Sequence, residues 1–567
     1  MGKTRKTRGT PSPTFDAIVV GAGFAGLYML HRLRALGFKT RVYETGDGVG
    51  GTWFWNRYPG ARCDAQSLVY AYTFDEAISE DWTWSERYAT QPEILRYLNH
   101  IAERLELRKD IQFDSRVASA AWDDSTHRWT VQIDGGGTAT ARHLIMASGA
   151  LSAGRLPDIP GLQTFSGARF HTADWPRDGV DFEDKRVAVI GTGSTAVQAI
   201  PLIAAAAREL TVFQRTPTFV VPARNAPISP GEAQQFEENR AAFRRRLKRG
   251  EIVGIGDVIL GDKLPPTQPS AVALPAEERQ QIYEARWQVG GALIARSFAD
   301  TLTNEASNHA MAEFVRAKIR EIVKDPQVAQ ILSPTDYPIG SKRLCVGTDY
   351  YETFNRANVT LVDLQKTPID CIIPRGLRTS EREHEFDIMV FATGFDAMTG
   401  ALSKIDIRGA AGATLLRAWA EGPKSYLGIA VAGFPNLFTV TGPGSPSVLG
   451  NVVTSIEQHV EWIAELIDYM RANKFDRVEA EGAAQETWSA HVTAAAAQTL
   501  MMKGKSWYLG ANVPGKPRVF MPYIKGIAVY RDECDAVARD SYRGFHLTSS
   551  ASLSSTAGSA ARLAAAN

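Results

Sequence analysis

Two short glycine patterns, each set directly after an apolar run, constrain this chain more than any other feature. Asp16 to Val20 has the make-up of a fully buried strand; Gly21-Ala22-Gly23-Phe24-Ala25-Gly26 follows at once, and Leu27 to Arg34 has helix-forming character. That strand–turn–helix context gives the glycines distinct tasks. Gly21 permits the tight turn, Gly23 lets the backbone approach a pyrophosphate, and Gly26 lets helix pack on strand. The helix N-terminus complements phosphate charge. A second strand, Lys39 to Tyr43, leads into Glu44, 18 residues after Gly26, where a carboxylate can bind ribose hydroxyls.

The pattern recurs with a different second half. Lys185 to Ile190 is strand-like, Gly191-Thr192-Gly193-Ser194-Thr195-Ala196 follows, a helix runs through Ile200, and Leu210 to Phe213 forms the next strand. At the offset that Glu44 holds from Gly21, this unit has Gln214 followed by Arg215. No carboxylate repels a 2′-phosphate there, and a guanidinium can bind one, which favours NADP(H) over NAD(H). The first unit suits FAD. Leu144 to Ala147 before Gly149, and Ile388 to Ala392 before Gly394, are two more strands ending in small residues near a cofactor.

The expected fold is therefore α/β, with two Rossmann-like dinucleotide-binding domains and a helical insert. Residues 1–150 and 390–547 are assigned to a discontinuous FAD domain, and 151–225 and 335–390 to an NADP domain. Residues 226–334 form the insert, and 548–567, rich in Ser, Ala and Gly, form a disordered tail. In the insert, Met311, Phe314, Val315, Ile319, Ile322 and Val323 recur at helical spacing, with Pro326 closing that helix. The Arg244–Arg249 run has the character of a solvated helix face.

Other classes are disfavoured. A length of 567 residues exceeds one core, and 63 basic against 62 acidic residues give a net charge of +1, with no nucleic-acid footprint. The basic run Lys3–Arg8 is a solvated end with no apolar segment after it, so it is not a secretory signal. Ser425 to Ile456 carries no charge, but its glycines and prolines break a helix repeatedly; a buried strand and loop fit it better than a membrane span. Cys63, Cys345, Cys371 and Cys534 are scattered, with no C-x-x-C. That opposes a metal site and a disulfide-relay flavoenzyme, and favours a reducing compartment, the cytoplasm. A monomer is expected.

Phe165-Ser166-Gly167-Ala168-Arg169-Phe170-His171-Thr172-Ala173-Asp174-Trp175-Pro176 lies between the two glycine motifs, and Gly50 to Asp64 contains Gly50-Gly51-Thr52-Trp53 and Tyr58-Pro59-Gly60. With these motifs the chain resembles the FAD- and NADPH-dependent Baeyer–Villiger monooxygenases, closest to the phenylacetone and cyclohexanone branch, from about residue 15 to 547. Arg343, after Tyr337-Pro338-Ile339-Gly340-Ser341-Lys342, and the Trp507 to Pro517 segment support that branch.

The resemblance implies that reduced flavin adds O2 to give a C4a-peroxyflavin that attacks a ketone, with rearrangement to an ester or lactone and side activity on sulfides. It implies Arg343 and Asp64 as the catalytic pair: the guanidinium stabilises anions and the carboxylate holds it. It places Thr52, Trp53, Tyr70 and Val117 along the FAD, and Thr192, Ser194, Thr195, Gln198, Arg215, Thr216, Lys342 and Trp507 along the NADP(H). The Gly442–Asn451 loop borders the substrate pocket. His171, beside Phe170 and Trp175, is expected to serve as a structural hinge and not as a base. Two alternatives stand beside this: a flavin-containing N/S-monooxygenase, and a flavin-bearing NADPH sensor without turnover.

Overall fold

The strand Thr14–Val20 shows why the first sheet forms where it does. Ala17 and Val19 enter one apolar core while Phe15, Ile18 and Val20 enter another, so both faces are covered. Burial on both faces goes with parallel pairing, and the strand pairs in parallel with Thr40–Tyr43 and Gly137–Met146. Across the sheet the order is Asp406–Arg408, Val117–Asp123, Arg128–Ile133, Gly137–Met146, Thr14–Val20, Thr40–Tyr43, Ile111–Gln112. Leu437–Thr439 pairs with the end of Gly137–Met146. The chain thus leaves this sheet at Met146 and returns to it with two later strands.

Between those visits it builds a second sheet, wholly parallel, in the order Val359–Asp363, Glu209–Gln214, Arg186–Ile190, Ile388–Phe391, Ala168–His171. The Phe165–Pro176 segment therefore supplies an edge strand of the second sheet. Val220–Pro222 pairs in parallel with Cys345–Gly347, which closes off the intervening helices Pro230–Lys248, Ala276–Val289, Glu305–Ile322 and Pro326–Leu332.

This computed structural model describes residues 12–251 and 266–549. The Lys3–Arg8 run and residues 550–567 of the expected tail lie outside the described residues, whereas Thr548 is the last residue of the strand Phe545–Thr548. Two proline expectations need correction. The second Rossmann helix does not stop at Ile200 but continues through Pro201 to Ala206, because its apolar face, Ala196 to Ala204, still has a core to fill. Pro326 does not close the preceding helix. That helix ends at Ile322, and Pro326 opens the next one, capped by the Asp325 carboxylate, where its missing N–H costs nothing. Ser425 to Ile456 comprises loops around the strand Leu437–Thr439, with a helix starting at Val452. Among the described residues, no helix is long and apolar enough to cross a membrane. Within the Arg244–Arg249 run, Arg245, Arg246 and Arg249 are exposed, but Arg244 donates to the Thr73 carbonyl and Lys248 pairs with Glu461 at 2.8 Å.

The helix Val452–Ala472 packs on Phe24–Ala35 and carries a buried acid. Glu457 accepts from the Thr73 N–H at 2.6 Å, the Thr73 hydroxyl and the Phe74 N–H at 3.0 Å. Burial raises its pKa to about 7. The folded state therefore holds this proton more tightly than the unfolded chain, whose carboxyl titrates near about 4.3. Its stabilising share is complete below that pH and is lost as pH rises through the folded value. Glu457→Ala should lower stability by on the order of 3 kcal/mol, since three donors lose their acceptor. Glu457→Gln should flatten the fall in melting temperature across that window; an unchanged slope in thermal melts would contradict this.

Candidate active site

The two Rossmann turns face one cavity of about 1680 Å³. Each begins at a glycine in left-handed backbone, Gly21 at φ +104° and Gly191 at φ +112°. A Cβ on either would meet a carbonyl of a neighbouring strand end, Ala147 O at 2.6 Å or Ala392 O at 2.5 Å. The two strands expected to end in small residues are therefore the ones that abut the turns. A Cβ on Gly26 would lie 1.8 Å from Gly21 O, so only glycine lets that helix cross its strand.

Whether the turns suit dinucleotides can be judged from their helix ends. Phe24–Ala35 and Ser194–Ala206 both start with no side-chain cap and no acid in the first turn, whereas Pro230–Lys248 and Val452–Ala472 are capped by Ser229 and Asn451. The leading N–H groups at both turns are left for an anion, and nothing lies within 4 Å of a Cβ built on Gly193. The residues present fit a pyrophosphate at each turn.

The other expected residues fall into three groups. Glu44 is buried on the first turn, its carboxylate accepting from Ala22 N–H at 2.7 Å and Gly46 N–H at 2.9 Å, with burial raising its pKa. It shapes the loop as well as lining the cavity. Thr52, Trp53, Tyr70 and Val117 line the same side, and the Trp53 indole donates to the Tyr70 hydroxyl at 3.1 Å. On the second side Thr192, Ser194, Thr195, Arg215 and Thr216 line the wall. Three of their hydroxyls already have partners: Thr192 donates to the Thr216 carbonyl at 2.9 Å, Ser194 lies 3.2 Å from the Cys345 thiol, and Thr195 hydrogen-bonds the Tyr58 hydroxyl. Gln198 lines the cavity, but its amide is engaged by Tyr58 and Arg62.

Between the two sides stands Arg343, just before the strand Cys345–Gly347 by which the chain leaves the insert. Its Nε and Nη2 donate to the two Asp64 oxygens at 2.9 and 2.8 Å, and its Nη1 donates to the Val448 carbonyl at 2.7 Å. Asp64 holds the guanidinium far above the usual arginine range despite burial, and Tyr508 adds a hydrogen bond. Val448 belongs to the Gly442–Asn451 loop, and Val448, Gly450 and Asn451 all line the cavity.

Lys342 sits over the Tyr337 ring at 4.1 Å. Burial holds its pKa below the usual lysine range, and Arg215 and Lys505 reinforce this against Asp336. Lys505 was not expected; only its place two residues before Trp507 could have signalled it. Trp507 is half-buried on the wall, in a strap tied to the linkers: Arg155 donates to the Asn512 carbonyl at 2.7 Å, Asn512 donates to Phe395 O at 2.7 Å, and Lys516 pairs with Asp396.

His171 is no free base. Its Nδ1 accepts from the Ala173 N–H at 3.1 Å, which leaves the proton on Nε2, 3.1 Å from the Arg155 carbonyl. Burial lowers its pKa. Its ring ties the edge strand to the linker at Arg155. All four cysteines are free thiols, and among the described residues no group of His, Cys, Asp and Glu could hold a metal ion.

Two anion-ready helix ends on one cavity, with a fixed guanidinium between them, define an oxidoreductase that holds two dinucleotides. Residues 15–264 match the family described as pyridine nucleotide-disulphide oxidoreductase. The chain is 43% identical over 540 residues to phenazine N-monooxygenase PhzNO1 of Lysobacter antibioticus, covering 94% of this chain and 97% of that protein. It is 42% identical to a Baeyer-Villiger monooxygenase of Pseudooceanicola batsensis, covering 95% and 97%. A solved oxidized steroid monooxygenase bound to NADP superposes with a TM-score of 0.88 at 47% identity, covering 94% of this chain and 99% of that one. The chain belongs to the Baeyer–Villiger monooxygenase family of flavoproteins.

If Arg215 and Lys342 receive the 2′-phosphate, replacing both with alanine should raise the KM for NADPH roughly 100-fold, as expected for losing two charge-assisted contacts, and leave that for NADH nearly unchanged. Equal losses with both nucleotides in steady-state kinetics would contradict this.

Proposed function

We propose that the protein is an NADPH- and O2-dependent FAD monooxygenase that inserts one oxygen atom beside a ketone carbonyl, giving an ester or lactone. Support comes from the Arg343–Asp64 pair at the meeting of the two dinucleotide clefts, and from solved relatives that hold FAD and NADP together. Bound FAD and NADPH supply the hydride and the activation of O2, the chemistry no side chain can provide.

The protein's own residues supply position and charge. Addition of an oxygen nucleophile to a ketone puts negative charge on the carbonyl oxygen. Arg343 keeps its charge at any working pH, and Asp64 together with Val448 O fixes its plane, so no reorganisation is needed as that charge develops. Trp507 and its strap line the cavity; displacement of its water by bound ketone and cofactors strengthens the interaction with the developing charge. No side chain need act as a general base, in keeping with the engaged nitrogens of His171. The protein is read as cytoplasmic and monomeric; four free thiols suit a reducing compartment.

One observation favours a second reading. The similarity to a phenazine N-monooxygenase makes an aromatic nitrogen a candidate acceptor, and a sulfide a side substrate. Product mass after turnover with 18O2, using a panel of cyclic, aryl and steroid-like ketones beside phenazines and sulfides, decides between them. The proposal expects a labelled ester or lactone; labelled N-oxide with no ester from any ketone would overturn it. Arg343→Ala should still allow NADPH to bleach the flavin but cut ester formation by at least about 100-fold. Normal lactone yield from that variant would remove Arg343 from the mechanism.

A further inference from the structure

Resting on the reading above, we infer that Gln198 is a positioning residue: it couples the NADP-side helix to the Asp64–Arg343 pair and is not itself a nucleotide contact. The observation is the fate of its amide. Gln198 lies on the helix Ser194–Ala206, whose N-terminus opens on the cavity. Its Oε1 accepts from the Tyr58 hydroxyl at 2.8 Å, and its Nε2 donates to the Arg62 carbonyl at 3.1 Å. A third approach, from Arg62 N–H to Oε1 at 3.5 Å, is at the limit of a hydrogen bond. Both ends of one side chain thus grip the segment that ends in Asp64.

Backbone contact reinforces the grip. Gly60 has φ +77°, and a Cβ there would lie 2.5 Å from the Gln198 carbonyl, so helix and segment lie flush only with glycine. The segment also straddles the two cores. Tyr58 packs against the NADP-side core and Cys63 sits inside the FAD-side core. Its opposite edge is fixed to the FAD side, with Cys63 N–H donating to Ala89 O at 3.1 Å and Gln91 N–H to Ala61 O at 2.8 Å. The Gln91 side chain in turn donates to the Trp53 carbonyl. Residues 58–64 therefore form a rigid bridge, and Gln198, with Thr195 also bonded to the Tyr58 hydroxyl, is a side-chain anchor for it on the NADP side. Small displacements of a positioned group cost much in rate, so a slack bridge should misplace Asp64 and with it the guanidinium.

The test uses the FAD-loaded full-length protein, with Gln198→Met, which keeps length and apolar packing but removes donor and acceptor, and Tyr58→Phe, which removes the hydroxyl that Gln198 and Thr195 share and leaves the Arg62 contact. Hydrogen–deuterium exchange of residues 58–64 should quicken about tenfold in both. The fraction of consumed NADPH that appears as H2O2 in the presence of a turned-over ketone should rise several-fold, roughly as a slightly misplaced group would demand. The Kd for NADP+ from calorimetry should stay within about twofold, the change expected when no contact is lost. Gln198→Glu, which retains the acceptor for Tyr58, should lie between wild type and Gln198→Met in exchange. A weakened Kd with exchange and coupling unchanged would make Gln198 a nucleotide contact and overturn the inference, as would no change in any arm. If the wild-type protein makes no ester, the functional reading fails, yet the exchange and affinity arms still decide the role of Gln198.

Discussion

The bidentate contact between Arg343 and Asp64 is the constraint on which the rest of the structure converges. A guanidinium is costly to take from water unless it is paired and its donors are satisfied. Here three of its nitrogens have acceptors: two on Asp64 and one on the Val448 carbonyl. Those acceptors come from distant parts of the chain. Asp64 follows the first glycine unit, Arg343 emerges from the helical insert, and Val448 lies in the loop before the helix Val452–Ala472. This three-way contact can form only when both sheets, the insert and that loop are in place. In this sense the placement of the charge is a product of the whole fold.

The architecture explains why such a site needs bracing. Each glycine turn lies so close to a strand carbonyl that only glycine fits there. The turns are related through ties that include the edge strand ending at His171, the strap at Asn512 and Lys516, the Arg177–Asp47 pair and the 58–64 bridge gripped by Gln198. These are hydrogen-bonded ties across a seam between separate cores, with a few apolar contacts such as Tyr58 and Tyr88 on the second core. A seam of that kind can hold geometry and still yield when a second dinucleotide enters or leaves.

What was legible in the sequence was mostly local. The turns, the buried strand at Asp16–Val20 and the contrast between Glu44 and Arg215 follow from spacing and residue type within a few tens of positions. Prolines were less legible. Pro201 sits inside a helix and Pro326 opens one, because packing and capping decide which proline rule applies. The pairing of Arg343 with Asp64 came from resemblance; no spacing links residues so far apart. Val448 left no signal because it acts through its backbone carbonyl. Gln198 matched a nucleotide-contact position, yet its amide faces Tyr58 and Arg62, a preference set by tertiary neighbours.

The central claim is that Arg343 and Asp64 act as one unit. A double-mutant cycle on ester formed per NADPH, using Asp64→Ala, Arg343→Ala and both together, tests this directly. Strong non-additivity is expected: the double variant should be no worse than Arg343→Ala alone, because Asp64 works through the guanidinium. Losses that multiply, as for independent residues, would contradict it.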